Sequence, residues 1–288
     1  IRSIEKEAFA YSSLTNIKIP PTANHIGERA FSFCRHLVSV DFSDNSNLHS
    51  IGKFAFTSSS VESISIPPNL DEFEEGWCDF GSCIIHSRSL LPKITFLLSE
   101  LKILLWKSIK SKDNYDVLSF ASRNIVDVVI PSFIEKIAAY SFSSCINLKT
   151  ITFDSKSEIE IIDKFAFAYS SITNITIPPT VVKICEQAFM YCKQLKTVKF
   201  SKNSKIESIE EFTFSSSSIK SMKIPSSVKI IGKCAFKSCL QLKTIEFCDH
   251  SKLNEIDVEA FSFSSLEYIE IPSNATKIAE HVSKVVDI

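Results

Sequence analysis

An isoleucine followed five residues later by phenylalanine recurs through this chain at two fixed intervals, and that period restricts the fold more than any local motif does. The anchors are Ile4, Ile26, Ile51, Phe73, Tyr115, Ile137, Ile162, Ile184, Ile209, Ile231, Ile256 and Ile278. Steps of 22 and 25 residues alternate between them, so a pair of units repeats every 47. The one exception is a step of 42 from Phe73 to Tyr115, which is a 25-residue step carrying 17 extra residues. The shorter unit reads I-x-x-x-A-F-x-x-S-S-L-x-x-I-x-I-P, as in Ile256 to Pro272. The longer reads I-x-x-x-A-F-x-x-C-x-x-L-x-x-I-x-F, as in Ile231 to Phe247, and ends in a polar loop. This pattern explains why the chain has 23 Phe and only 5 Gly.

Each unit has the makings of one coil of a solenoid. Segments such as "NITIP" alternate apolar and polar residues at period two, so they predict short strands. In that segment Ile175 and Ile177 face one way, Asn174 and Thr176 the other. Proline closes many of these strands because it brings no N–H to the ladder. The "IxxxAF" segment predicts a tight helical turn or an irregular arc, with its Ile and Phe turned inward. One coil cannot bury its apolar side, but a stack can. The expected fold is an α/β solenoid of alternating 22- and 25-residue repeats, one domain over residues 1–288, with strands at 17–19, 40–42, 64–66, 94–96, 128–130, 151–153, 175–177, 198–200, 222–224, 245–247 and 269–271.

The stretches "IGERAFSFCRHLVSVDF" (26–42), "IAAYSFSSCINLKTITF" (137–153) and "ICEQAFMYCKQLKTVKF" (184–200) resemble the BspA-like leucine-rich repeat family. The resemblance recurs in phase over nearly the whole chain. It implies a right-handed coil with a long parallel sheet on the concave side. It also implies a non-enzymatic module for adhesion and protein binding, cell-surface or secreted, with a host matrix or cell-surface protein as partner. The alternative is an architectural spacer or intracellular scaffold that presents another domain. A monomer without cofactors is expected.

Net charge is −1, which gives no general attraction to nucleic acid or anionic membrane. The most apolar run, "ITFLLSELKILLW" (94–106), is too short and too charged to cross a bilayer core of ~30 Å. Neither end shows a recognisable capping repeat, so the chain reads as a segment of a longer array. Any signal or anchor segment would lie outside it.

Of nine Cys, four stand eight residues after their anchors in the longer units: Cys34, Cys145, Cys192 and Cys239. The shorter units place serine there, as at Ser170 and Ser217. Cysteines of this row are therefore two coils apart, ~9.6 Å, which exceeds the ~7 Å Cα reach of a disulfide. They read as buried free thiols. Cys78, Cys83 and His86 have a spacing that could supply three zinc ligands, but no fourth is apparent. Cys83 is more simply the row's cysteine displaced by a short insertion. No phosphate loop, nucleophile elbow or H-E-x-x-H is present. The pairs Glu74/Glu75 and Glu210/Glu211 read as solvated turn residues.

Residues 73–114 form the one irregular repeat. Here "PKITF" (92–96) reads as the strand, and Leu97, Leu101, Leu104, Leu105 and Ile109 recur at helical spacing. A helix is therefore expected over 97–110. Both tryptophans, Trp77 and Trp106, lie in this repeat and make it one candidate partner-binding surface. The other candidate is the outward face of the sheet. There Lys199, Lys223, Glu246, Tyr268 and Glu270 concentrate the charge and aromatic character of an otherwise Ser/Thr-rich row.

Overall fold

The computed structural model describes residues 1–43, 45–67, 69–70, 72–74, 76–78, 84–87, 95–98, 103–106 and 116–282. It contains two compact units, Ile1–Ile125 with Tyr140–Cys145, and Val126–Ala139 with Ile146–Ile288. Both are parallel-strand β-solenoids, and together the chain makes about ten turns. Among the described residues there is no helix, so the helical part of the expected α/β class is corrected to β.

In the first unit the long strands Asn16–Ile19, Ser39–Phe42, Ser63–Ile66 and Ile84–Ser87 pair in parallel. A second parallel row, absent from the sequence-based expectation, is built from two-residue strands at the anchors: Ser3–Ile4, His25–Ile26, Ser50–Ile51 and Glu72–Phe73. The second unit has both kinds of row, but its long strands form a four-stranded and a three-stranded sheet in place of the one long sheet expected. Its long strands are Asp127–Ile130, Thr150–Phe153, Asn174–Ile177, Thr197–Phe200, Ser221–Ile224, Thr244–Phe247 and Tyr268–Ile269. Anchor partners stand 22 or 25 residues apart, as Ile161↔Lys183 and Lys136↔Ile161 do. Long-strand partners stand 23 or 24 apart, as Asn174↔Thr197 and Thr150↔Asn174 do. The two spacings differ because the longer coil adds one residue before its strand (C-x-x-L in place of S-S-L) and two in the loop after it.

Inward strand residues such as Ile64, Val128, Ile175 and Met222 are buried, and their neighbours face solvent. Beneath them the anchor-plus-five phenylalanines stack. Phe9, Phe31 and Phe56 lie 5.3 Å apart in sequence order in the first unit. Phe167, Phe189, Phe214, Phe236 and Phe261 lie 5.1–5.5 Å apart in the second. This spacing exceeds the ~4.8 Å between strands only slightly, so offset rings fill the interior without gaps.

The arcs are irregular, not helical turns. In the regular coils, positions three and seven after the anchor have positive φ, for example Glu7 (56°), Tyr11 (60°), Phe212 (52°) and Ser216 (59°). A non-glycine residue in this region costs roughly 1–2 kcal/mol. The cost is offset because the arc turns alternate N–H groups toward the next coil. Glu7, Phe9 and Tyr11 donate to the carbonyls of Glu28, Ala30 and Ser32 at 2.8–2.9 Å. A helix would keep those donors within its own coil and break the stack.

The irregular repeat differs from the expectation in two respects. Its sheet strand is Ile84–Ser87, in register with Ser63–Ile66, and not "PKITF". Thr95–Leu98 instead pairs antiparallel with Ile103–Trp106, which pairs antiparallel with Val117–Ala121. The helix expected over 97–110 is thus replaced by strands wherever its residues are described. Residues 99–102 and 107–110 of that helix lie outside the described set, as does Cys83 of the zinc reading.

Candidate functional site

The outward face of the long strands carries two columns of side chains because a strand points alternate residues to opposite sides. In the second unit one column is Asp127, Thr150, Asn174, Thr197, Ser221, Thr244 and Tyr268. Its neighbour is Val129, Thr152, Thr176, Lys199, Lys223, Glu246 and Glu270. The first column is hydroxyl-rich, and the Thr150 hydroxyl ties two of its rungs by donating to Asp127. In the first unit Ser39 Oγ donates to Asn16 Oδ1 at 2.6 Å in the same manner.

Three open depressions recur where the strands end. The first joins Thr152 and Asp154 to Pro178 and Pro179. The next has Lys199, Lys202, Lys223 and Pro225. The last has Glu246, Asp249, Tyr268, Glu270 and Pro272. Each lies between a longer coil's polar loop and the Ile-Pro of the following coil.

Lys199, Lys223, Glu246, Tyr268 and Glu270 are all exposed on this face, Tyr268 at 71%. They fall on four successive coils. Lys223 and Glu246 are register partners, and Tyr268 is the partner of Thr244. Trp77 does not belong with them. It is 2% exposed and packs between Phe73 (4.8 Å) and Phe120 (5.1 Å). It fills the interior where Cys78 stands at the place that other coils give to phenylalanine, so its reading as a partner-binding residue is corrected to core. Trp106 lies in the middle strand of the antiparallel segment, opposite Thr95 and Val117.

The cysteine row is part of the core. Cys34, Cys145, Cys192 and Cys239 are buried. Cys192 Sγ donates to the Phe167 carbonyl at 3.0 Å, and Cys239 Sγ to the Phe214 carbonyl at 3.1 Å. Ser170 and Ser217 lie 3.6 and 3.4 Å from those sulfurs. Cysteine and serine thus alternate as small polar links between coils. Burial pushes the Cys192 thiol up to about 12 and the Cys239 thiol up to about 11. A thiol with a raised folded-state value stabilises the fold below its unfolded pKa and withdraws that contribution as pH rises toward the folded one. These two residues therefore erode stability between pH ~9 and pH ~11–12. Native protein at pH 8 is expected to resist alkylation at both, with full labelling on unfolding, measured by mass spectrometry. Rapid native labelling of Cys192 would contradict the assignment.

A residue that the sequence reading passed over sits in the same row. Arg123 stands eight residues after its anchor Tyr115, where the regular shorter coils have serine. It is 2% exposed. Its guanidinium donates to the carbonyls of Ala121 (3.0 Å), Ser141 (2.9 Å) and Cys78 (2.7 Å), and to Cys145 Sγ (3.5 Å). It also lies over the Phe120 ring at 4.3 Å. The bond to Cys78 matches the link that Cys192 makes to Phe167. Arg123 therefore ties the coil of the irregular repeat to its own coil and to the next one, and its signal was the departure from serine. Beside it Gly76 (φ 64°) leaves room for the Phe54 ring; a Cβ there would lie 2.4 Å from Cε1.

The description "BspA type Leucine rich repeat region" matches the chain in 6 copies, over residues 1–97, 114–206 and 160–284. The chain belongs to the BspA-type leucine-rich repeat family. Such repeats are generally protein-interaction modules and typically not enzymes. No curated protein matches the chain. Among solved structures, a leucine-rich repeat protein from Eubacterium ventriosum is similar at 22% identity and TM-score 0.80, covering 99% of this chain and 81% of that one. A leucine-rich cell surface protein from Faecalibacterium prausnitzii is similar at 23% identity and TM-score 0.64. The match covers 98% of this chain and 63% of that protein. The pneumococcal vaccine antigen PcpA is similar at 18% identity and TM-score 0.54, with 98% and 67% covered. At these identities the likeness shows the fold. Among the described residues of this BspA-type chain, no helix is long and apolar enough to cross a membrane.

Proposed function

We propose that this chain is a non-enzymatic binding module, presented at a cell surface or secreted, that holds a protein partner on the outward face of its sheet. One observation carries the reading. The exposed columns keep a regular set of hydroxyl and charged groups at strand spacing, Val129 and Tyr268 excepted, while the inward strand residues and the cysteine row are buried. Similarity to a cell surface protein and to a vaccine antigen supports the location. The domain organisation that accompanies it is a single array of alternating 22- and 25-residue repeats, with one irregular repeat at 73–114. Lys199, Lys223, Glu246, Tyr268 and Glu270 are the binding positions of this proposal.

A hydroxyl-rich face with few aromatic residues suits modest contacts that gain strength through repetition. The test replaces the five residues by serine and measures binding to a captured partner, with circular dichroism to verify the fold. The expected result is at least about a tenfold loss, equivalent to ~1.4 kcal/mol. A second variant lacking residues 97–112 should bind as before. Loss of binding in the deletion alone would move the site to the irregular repeat.

A further inference from the structure

The charged column of the second unit has an order that its own fold does not favour. Lys199 and Lys223 lie on the long strands of successive coils, Glu246 lies on the next, and Glu270 directly follows Tyr268–Ile269 on the one after. Strands are ~4.8 Å apart, and like charges directly opposite each other destabilise a sheet. Elsewhere in the unit, opposite charges meet between neighbouring coils, as in Lys243–Glu267 (3.4 Å) and Lys233–Glu211 (3.6 Å). Lys243 and Glu267 directly precede Thr244–Phe247, which carries Glu246, and Tyr268–Ile269, which Glu270 follows. Among the described residues, Lys199, Lys223, Glu246 and Glu270 make no ion pair, although Lys223 and Glu246 are in register. Repulsion within each like-charged pair, beside coils that pair charges elsewhere, points to a partner that supplies the missing counter-charges.

We propose that the partner is a second copy of this chain, related by a two-fold axis between the Lys223 and Glu246 strands. The inference rests on the reading of this face as the binding face. Two positive charges followed by two negative charges, read in the opposite direction, become two negative followed by two positive. A two-fold axis therefore places Lys199 opposite Glu270 of the partner subunit, and Lys223 opposite Glu246 of the partner subunit. Every charge in the column gains an opposite one, as an isologous contact requires. Tyr268, 71% exposed, flanks the acidic end and supplies the one large apolar surface beside it. Exposed ion pairs contribute little singly, so the association is weak, salt-sensitive and suited to copies held at high local concentration. This proposal departs from the monomer expected from the sequence.

The experiment is analytical ultracentrifugation of the whole chain at ~10 mM and ~1 M ionic strength, where the Debye length is ~30 Å and ~3 Å. Wild type is expected to self-associate at low salt and to dissociate at high salt. The pair K199E/K223E makes the column entirely acidic, and E246K/E270K makes it entirely basic. Each variant alone should be monomeric, and an equimolar mixture should associate. The fourfold exchange K199E/K223E/E246K/E270K keeps the symmetry and should self-associate like wild type. All four residues are exposed, and circular dichroism verifies that each variant folds. A monomeric wild type at low salt, or a mixture that fails to associate, overturns the proposal, as does unaltered self-association of either double variant. Loss of binding to a captured protein in the five-serine variant, with a monomeric wild type, would retain the proposed function and remove self-pairing. An unrelated polypeptide is then the occupant.

Discussion

Arg123→Ala is expected to destabilise the first unit by about 4 kcal/mol, through a buried cavity and carbonyls left without donors. The side chain links Cys78 of one coil, Ala121 of its own and Ser141 of the next. Alanine removes all these donors from a site where water has no easy access. Arg123→Lys should rescue little, because a single ammonium cannot reproduce the planar fork that spans the two flanking coils. Arg123→Ser restores the residue that regular coils carry at this place, yet it should cost nearly as much as alanine. A hydroxyl is too short to reach Cys78. Urea unfolding monitored by circular dichroism, with hydrogen exchange at residues 116–125 and 140–145, reads both the size and the location of the effect. A loss below about 1 kcal/mol for Arg123→Ser would mean that the arginine merely occupies space.

Phe189→Ala should cost about 3–5 kcal/mol, the range for removing a buried aromatic ring. Its ring lies between Phe167 at 5.1 Å and Phe214 at 5.4 Å, so the cavity has aromatic walls on both sides. Phe9→Ala, at the same repeat position but 38% exposed, should cost clearly less. Thr176→Ala on the outward face should stay within about 0.5 kcal/mol. The three variants rank burial against repeat position in the same denaturant series. Equal losses for Phe9 and Phe189 would show that repeat position, and not burial, sets the energetics.

The long strands were legible because Ile175 and Ile177, or Val198 and Phe200, alternate with polar residues over four positions. The short anchor strands were not. Two residues such as Lys183–Ile184 are too few to express a period, and only the coil next door makes them a sheet. The arcs were hidden for another reason. In the regular coils their positive-φ positions hold residues such as Glu7, Tyr169, Gln187 and Phe212 in place of glycine, since neighbouring coils impose the turn. In the irregular repeat, leucines at helical spacing misled because the run is short, and short apolar runs fit either period. The exposed residues of the candidate site followed directly from strand alternation. Arg123 and Trp77 did not, because their roles depend on coils distant in sequence.

The alternation of cysteine and serine along the core has a consequence for how such a chain can change length. Removing the single coil between Cys192 and Cys239 would bring two thiols onto adjacent coils, ~4.8 Å apart and inside the Cα range of a disulfide. Removing the coil that carries Cys192 would set Ser170 beside Ser217 and leave the Phe167 carbonyl without its thiol donor. Removing both coils of a pair preserves every link. Evolution and protein engineering alike are therefore expected to lengthen or shorten the regular part of this chain in even numbers of turns, with parity conserved by its alternating cysteine and serine links.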